Sequence, residues 1–356
     1  LKWKNFHAST FKLFNNLTDL KTEILPTHTP ELFQKAVRSA AELLRGGEVV
    51  VLPTETVYGL AADALDEKAV AKIFQIKGRP ANNPIIVHVA SIEMAKRCAK
   101  SFPALAEKLS KAFWPGPLTL VLPRANEIPD NVTAGGATVG IRWPSHPFIQ
   151  AVIQECDFPL AAPSANVSGR VSPTNPEHVR EQLGGRIPLI VDGGQSQVGI
   201  ESTVLDLTVL PPKILRPGMI HAESLAAVCG EVQGSKLKVQ SPDSAPRSPG
   251  LLAKHYSPKA KLVVLYWRDE AELELKIHNS KFSIQNCHVI AHTRIPSGEK
   301  FAGVSVIPHD AEAFARAIYA ELHRCDDAGA KWIVVEAPPE APEWHGIADR
   351  LKRAAM

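Results

Sequence analysis

Along the first 230 residues, apolar positions switch between helical spacing and short unbroken runs. Thr29 caps a first turn that opens on Pro30. Leu32, Phe33, Ala36, Val37, Ala40, Leu43 and Leu44 then recur every three or four residues until Gly46-Gly47, which predicts an amphipathic helix. EVVVLP follows as a buried strand ended by Pro53. A second helix starts from a cap at Asp66, turns Val70, Ile73 and Phe74 inward, and stops at Lys77-Gly78. PIIVHV (84–89), PLTLVLP (117–123) and TVGIR (138–142) read as strands. Two short helical patterns lie between 91 and 113, and HPFIQAVIQE reads as a helix. PLAAPSAN is a strand entering a polar turn, and IPLIVDGG, STVLDL and KILRPG add further short strands. Helices and strands mix without strict alternation, so the expected sheet is open, twisted and mixed.

The pattern changes after about residue 230. GSKLKVQSPDSAPRSPGLLAKHYSPKAK carries Pro242, Pro246, Pro249 and Pro258 and few large apolar residues, and reads as an extended linker. Beyond it, KLVVLYW, NCHVIAH and KWIVVEA are strands. Helical patterns over 268–279, DAEAFARAIYAELHRCDDAGA and APEWHGIADRLKRAAM alternate with them. That alternation is the mark of a small parallel α/β unit of Rossmann type, though GxGxxG is missing and a dinucleotide role is unsupported. The expected organisation is a flexible extension over 1–22, a first domain over 23–229, a linker over 230–259 and a C-terminal α/β domain over 260–356.

Composition narrows the function. Of 356 residues, 45% are hydrophobic and 22% charged, which fits a folded globular chain. No apolar run nears the roughly 20 residues of a membrane helix, so no membrane association is expected. A net charge of +3 suits anionic ligands but is too small to imply a nucleic-acid binder, and aromatic residues make up only 6%. Cys98, Cys156, Cys229, Cys287 and Cys325 are widely spaced with no CxxC pair. Structural zinc and a disulfide scaffold are therefore disfavoured, and a reducing, cytoplasmic setting is expected. The first 21 residues lack the long apolar core of a secretory signal.

The candidate chemistry gathers in two segments. PTETVYGLAADALDEKAVAKIFQIKGRPANNPIIVHV (53–89) ends a buried strand in Thr54, Glu55, Thr56 and Tyr58, where ligands of α/β sheets usually sit. It then places Lys77 and Arg79 around Gly78, a point charge and a rigid fork both suited to phosphate oxygens. Read locally, two basic residues at a helix end more often just complement the helix dipole. His88, inside a strand, is by itself more often packed than functional. In PLAAPSANVSGRVSPT (159–174), Ser164, Asn166, Ser168, Ser172 and Thr174 crowd one turn, either as a neutral anion cradle or as an ordinary solvent loop. Ser164 is in no GxSxG elbow, so a serine nucleophile is not expected. Thr138, Arg142, Ser202 and Arg216 stand at other strand ends, where a surface salt bridge is the default for the arginines. No Walker A motif is present, so any nucleotide is bound without a P-loop.

Taken in order, PTETVYGL, KGRPANNPIIVHV, WPGPLTLVL, VGIRWP, PLAAPSANVSG, ESTVLDL and LRPG resemble the YrdC-like family, the threonylcarbamoyl-AMP synthases, over roughly residues 30–225. SPGLLAKHYSP resembles the linker of the longer, two-domain branch of that family, with Leu251 where many relatives have Met and Ser257 where many have Ala. The resemblance implies an open twisted sheet around a basic cleft. It also implies an activity: L-threonine, bicarbonate or CO2 and ATP give threonylcarbamoyl-AMP and pyrophosphate, and a transferase complex then modifies a tRNA adenosine beside the anticodon. The family signature KxR…SxN falls on Lys77, Arg79, Ser164 and Asn166. Threonine is then expected at Thr56, His88, Arg142, the backbone of Ala162, and Ser202, with Arg142 on its carboxylate. ATP is expected at Arg79, Asn83, Thr138, Ser164, Asn166, Ser172 and Arg216, with Lys77 near the phosphates and His255 and Tyr256 closing over the nucleotide. Mg2+ would arrive on ATP, and no tightly bound cofactor or protein-held metal is expected. The expected partners are ATP, threonine, bicarbonate and the transferase complex, with at most a weak tRNA contact. Two other readings remain: a carbamoyltransferase of the hydrogenase-maturation type, disfavoured by the missing CxxC pairs, and an RNA-binding protein of the same fold, disfavoured by the low charge.

Overall fold

The computed structural model describes residues 20–234, 255–280 and 282–356; most of the expected linker, including SPGLLAK, lies outside them. Ten strands of the first unit form one sheet: β1 (Glu23–Pro26), β2 (Val50–Leu52), β3 (Gly59–Asp63), β4 (Val87–His88), β5 (Leu118–Pro123), β6 (Thr138–Arg142), β7 (Leu160–Ala161), β8 (Leu189–Asp192), β9 (Thr203–Asp206) and β10 (Lys213–Arg216). Their order is β1-β8-β2-β3-β7-β4-β6-β5-β9-β10. The pairs β1/β8, β2/β8, β4/β6 and β5/β9 are parallel and the other five antiparallel, so the sheet is mixed. The second unit holds four parallel strands, β11 (Lys261–Leu265), β12 (Cys287–Ala291), β13 (Gly303–Val306) and β14 (Trp332–Glu336), in the order β11-β14-β12-β13.

Local chemistry starts the helices where the sequence places them. Helix Pro30–Arg45 is capped by Thr29, whose hydroxyl accepts from Leu32 N, and it packs Ala36, Val37, Ala40, Ala41 and Leu44 inward. Helix Glu67–Lys77 is capped by Asp66 and ends at Gly78 in the left-handed region at φ 59°, a conformation that favours glycine. The apolar run 84–89 is strand only at Val87–His88. The Arg79 guanidinium takes the carbonyls of Asn83 and Pro84, so a side chain replaces the ladder there. The periodicity does not disclose β3. Its sequence GLAAD lacks β-branched residues, and it forms because Gly59 lets the chain pass close to Ala162, where a Cβ would stand 3.3 Å from that methyl. Nor does it disclose β1, an edge strand anchored next to Thr22, whose hydroxyl donates to Ile187 O and accepts from Gly185 N.

One core fills the space between the large sheet and its helices. A second runs from the C-terminal unit into the first, joining Val57, Val171 and Ile200 to Tyr256, Phe314, Ile318, Tyr319 and Ile347. The two units therefore share buried apolar surface, and that shared seam lies beside the cleft described next.

Candidate active site

The cleft is assembled where loops leave strand ends. Thr54, Thr56 and Val57 follow β2; His88 ends β4; Arg142 ends β6; Ala162, Pro163 and Ser164 follow β7. Glu201 and Ser202 precede β9, and Arg216 ends β10. With Arg79, Gly59, Ile86, His255 and Tyr256 they enclose a cavity of about 50 Å³. Register explains part of this: His88 and Arg142 are paired neighbours on parallel strands, so both side groups arrive at the same end of the sheet.

Its charges are the notable feature. Arg79, Arg142 and Arg216 are all buried and all line the cavity. Lys77 is 2% exposed and stands behind the wall, its ammonium donating to the carbonyls of Ser164 and Asn166. Burial pushes the Lys77 amine well below the usual lysine range, and the nearby Arg79 charge adds to this. Burial likewise pulls Arg79 down to about 9. Among the described residues, no carboxylate forms an ion pair with Lys77 or Arg79. Arg142 is different: its Nη2 lies 2.7 Å from Glu55 Oε1, and its Nη1 donates to Thr56 Oγ1 at 2.9 Å. Burial would raise the Glu55 carboxyl, yet Arg142 holds it below the ordinary carboxylate range.

The neutral groups are equally specific. Burial, then the Arg142 charge, drives His88 down to about 3, so it is an uncharged imidazole at neutral pH. Its Nδ1 is buried without a hydrogen-bond partner, as is Nδ1 of His255 and the amide nitrogen of Asn83. Buried unsatisfied groups are costly; those of His88 and His255 face the cleft where a ligand would meet them, whereas Asn83 is not among the residues that line it. Ser202 Oγ lies 2.8 Å from Thr119 Oγ1 and 3.1 Å from Arg216 Nη2. Ala162 donates its N–H to Ile86 O, so any backbone contact from it to a ligand uses the carbonyl.

Not every expected site residue reaches the cavity. Asn166 turns its amide onto Val167 O and Arg170 O and fastens the polar turn. Ser172 donates to Glu201 at 2.6 Å, one residue removed from the wall. Thr138 starts β6 while Arg142 ends it, about 13 Å apart at a strand's rise per residue. Thr138 lines a smaller neighbouring cavity with Ile86 and Thr133. Two residues escape the sequence reading. Among the described residues Glu201 is the single carboxylate on the cavity wall, marked in the sequence only as an acid directly before an apolar strand. Arg350 is 1% exposed and forms a 2.7 Å ion pair with it. The signal for Arg350 was its place on the same helical stripe as Ile347, Leu351 and Ala354.

His255 and Tyr256 plug the cleft. Both are buried, with ring centroids 4.0 Å apart, and Tyr256 adopts φ 61°, a left-handed conformation strained for a tyrosine. The remaining volume of about 50 Å³ holds a water or two, whereas small-molecule sites run to roughly 300–1,000 Å³.

Residues 42–218 match the family model described as telomere recombination, and residues 220–356 match that of the threonylcarbamoyl-AMP synthase C-terminal domain. The chain is 41% identical over 322 residues to the threonylcarbamoyl-AMP synthase of Pyrococcus abyssi, covering 90% of this chain and 94% of the relative. It is 39% identical to that of Bacillus subtilis, covering 94% of this chain and 95% of the relative. A crystal structure of P. abyssi Sua5 complexed with L-threonine superposes with a TM-score of 0.86 at 39% identity, over 94% of this chain and 97% of that one. A cleft ringed by buried cations, joined to a parallel α/β unit and matched along both, places this chain in the threonylcarbamoyl-AMP synthase family, in its two-domain branch.

Proposed function

We propose that this chain condenses L-threonine, bicarbonate or CO2 and ATP into threonylcarbamoyl-AMP and pyrophosphate. The observation that carries the reading is the set of buried cations around one cavity, with Lys77 and Arg79 pushed down in pKa by burial. Such a site is electrostatically unfavourable when empty and gains most from a polyanion.

In this account the neutral threonine amine adds to CO2 and releases a proton to solvent, giving a carbamate. A carbamate oxygen attacks the α-phosphorus of ATP, and the bond to the β,γ-diphosphate breaks to release pyrophosphate. No covalent enzyme intermediate is required. The protein holds two anions together and offsets charge as it develops on the phosphates. Arg79 and Arg216 face the nucleotide, and Lys77 adds charge from behind the wall. Thr56, His88, Arg142, Ala162 and Ser202 receive threonine. Arg142 already bonds Glu55 and Thr56, so the substrate carboxylate would share a guanidinium that is pre-oriented. Asn83, Ser164, Asn166, Ser172 and Thr138 shape or extend the nucleotide side. Mg2+ enters as part of the MgATP substrate, liganded by phosphate oxygens.

The plug must move for ATP to enter, so we assign His255 and Tyr256 as a lid that exchanges with the nucleotide and then closes over it. Water exclusion has value because a carbamate is labile. The product is a mixed anhydride whose consumption requires a transferase acting on a tRNA adenosine. Pyrophosphate release from ATP, measured with and without threonine and bicarbonate, tests the function.

A further inference from the structure

The C-terminal domain has no assigned part in the reaction, yet its side chains reach the cavity wall. Glu201 lies on that wall beside Ser202. Its Oε2 accepts from Arg350 Nε at 2.7 Å and from Tyr319 OH at 3.1 Å, and its main-chain carbonyl accepts from Arg350 Nη2 at 3.1 Å. Arg350 and Tyr319 both belong to the C-terminal domain. Arg350 Nη1 also donates to Pro217 O, at 2.9 Å, next to the cavity's Arg216. The guanidinium sits 5.3 Å from the centre of the Tyr256 ring, which also has the Tyr319 ring at 6.0 Å.

Glycines permit this approach. A Cβ on Gly346 would stand 2.9 Å from Gly218 O, so two glycines let helix His345–Ala354 lie directly on the strand-end loop. A Cβ on Gly199 would meet Ala315 O at 2.3 Å, and Gly199 has φ 84°, a conformation that favours glycine. Arg316 Nε donates to Gln197 O at 2.8 Å. Loop 197–202, which ends in Ser202, is thus clamped by two helices of the C-terminal domain.

The electrostatic consequence is specific. Among the described residues Glu201 is the one carboxylate lining the cavity, in a cleft that has to hold a triphosphate and a carbamate. Left uncompensated in a low-dielectric wall, its charge would oppose both ligands. Burial would raise the Glu201 carboxyl, but Arg350, then Arg216, holds it below the ordinary range, so it is ionised and in need of a partner.

We propose that Arg350 is a positioning residue for synthesis: from the C-terminal domain it cancels the charge of Glu201 at the nucleotide site and, through that carboxylate, fixes the Ser202 loop and the Tyr256 ring. This rests on the synthase reading above, and threonine-dependent pyrophosphate release by the unsubstituted chain is the control that separates the two. If the unsubstituted chain is inactive, the synthase reading fails. If it is active, the variants decide the role of Arg350.

The test uses the full chain with Arg350→Met, Glu201→Gln and the double variant, reading KM for MgATP and kcat for pyrophosphate release. Each single substitution breaks the same ion pair, but Arg350→Met leaves the Glu201 charge without it, whereas Glu201→Gln leaves Arg350 still paired with Asp349 at 2.9 Å. Arg350→Met should raise the MgATP KM at least about tenfold, the size expected of one uncompensated wall charge. Glu201→Gln, which keeps the side chain's shape while removing its charge, should raise that KM several-fold less than Arg350→Met does, and the double variant should match Glu201→Gln within about threefold. Equal KM increases in both single variants, or a double variant no better than Arg350→Met, would overturn the proposal and reduce the pair to a domain strut. Should Arg350→Met fail to fold, Arg350→Lys and Arg350→Gln replace it: the lysine, which keeps the charge, should hold the MgATP KM within about threefold and the glutamine should not, and equal KM values in the two would overturn the proposal.

Discussion

Lys77 Nζ donates to the main-chain carbonyl of Ser164 at 2.6 Å, and to that of Asn166, joining two segments 87 residues apart. The bond gives the KGR and PSAN segments one shared geometry. Lys77 stands at the C-terminal end of its helix, where a basic side chain would ordinarily complement the dipole from solvent, yet it is buried. Its ammonium therefore serves the polar turn and the field of the cleft together.

From this we expect Lys77→Ala and Arg79→Ala each to lower kcat/KM for pyrophosphate release by at least about 100-fold, through loss of charge-assisted contacts worth roughly 1.5–3 kcal/mol apiece. Circular dichroism should show both variants folded. Turnover near that of the unsubstituted chain in either would remove the phosphate assignment.

Specificity follows from Ser202, whose hydroxyl lies between Thr119 and Arg216, and from Thr56 beside Arg142. A pocket built from hydrogen-bonding groups rejects an isostere that leaves them unpaired. Serine should be a poor but detectable substrate and valine should give no adenylate. Adenylate formation with valine at the threonine rate contradicts a polar pocket.

How much of this was legible in the chain depends on which force decides each feature. Caps at Thr29 and Asp66 and the apolar stripes are local, and both helices begin where they predict. The strand β3 was not legible, because a run of glycine and alanine is selected by close approach to Ala162, a contact about 100 residues away that periodicity does not encode. Most cavity residues could be named from the ordered motifs, since strand ends carry them. Asn166 and Ser172 show the limit of that reasoning: their types suit a ligand, but their side chains are spent on Arg170 O and on Glu201. Arg350 was hidden because its partner lies 149 residues away in the other domain.

The domain seam should be sensitive to acid. His178 of the first domain stacks on His323 of the second at 3.9 Å, with planes 12° apart. Burial, and then the neighbouring imidazole, lowers His178 to about 3; burial also lowers His323. His178 is neutral when folded and His323 takes up a proton less readily than a free histidine, whereas unfolded histidine takes one up near pH 6.5. The unfolded chain thus binds more protons below that value. The stability these groups contribute is complete above about pH 6.5 and is lost progressively as pH falls toward 3. The melting temperature should drop more steeply from pH 7 to 5 in the unsubstituted chain than in His178→Phe. Parallel curves would show that the pair does not titrate with unfolding.

Tyr256 combines a strained φ with a buried ring against Arg350 and Tyr319. Strain of this kind is held in place by its surroundings and costs on the order of 1–3 kcal/mol. Tyr256→Ala should lose part of the synthesis at saturating ATP and threonine. A chain ending near residue 230 should fold, because the large sheet has its own core, and should lose most of it. Full activity in that fragment would mean that the segment bearing Tyr256 only tethers the domains.

The central claim is that buried cations and a polar pocket join threonine, bicarbonate and ATP without any other protein. Pyrophosphate release by the purified chain, with each substrate omitted in turn, tests it most directly. Release that requires threonine and bicarbonate together, with no RNA added, is the predicted result; release that is indifferent to threonine, or that appears only when RNA is supplied, would contradict it.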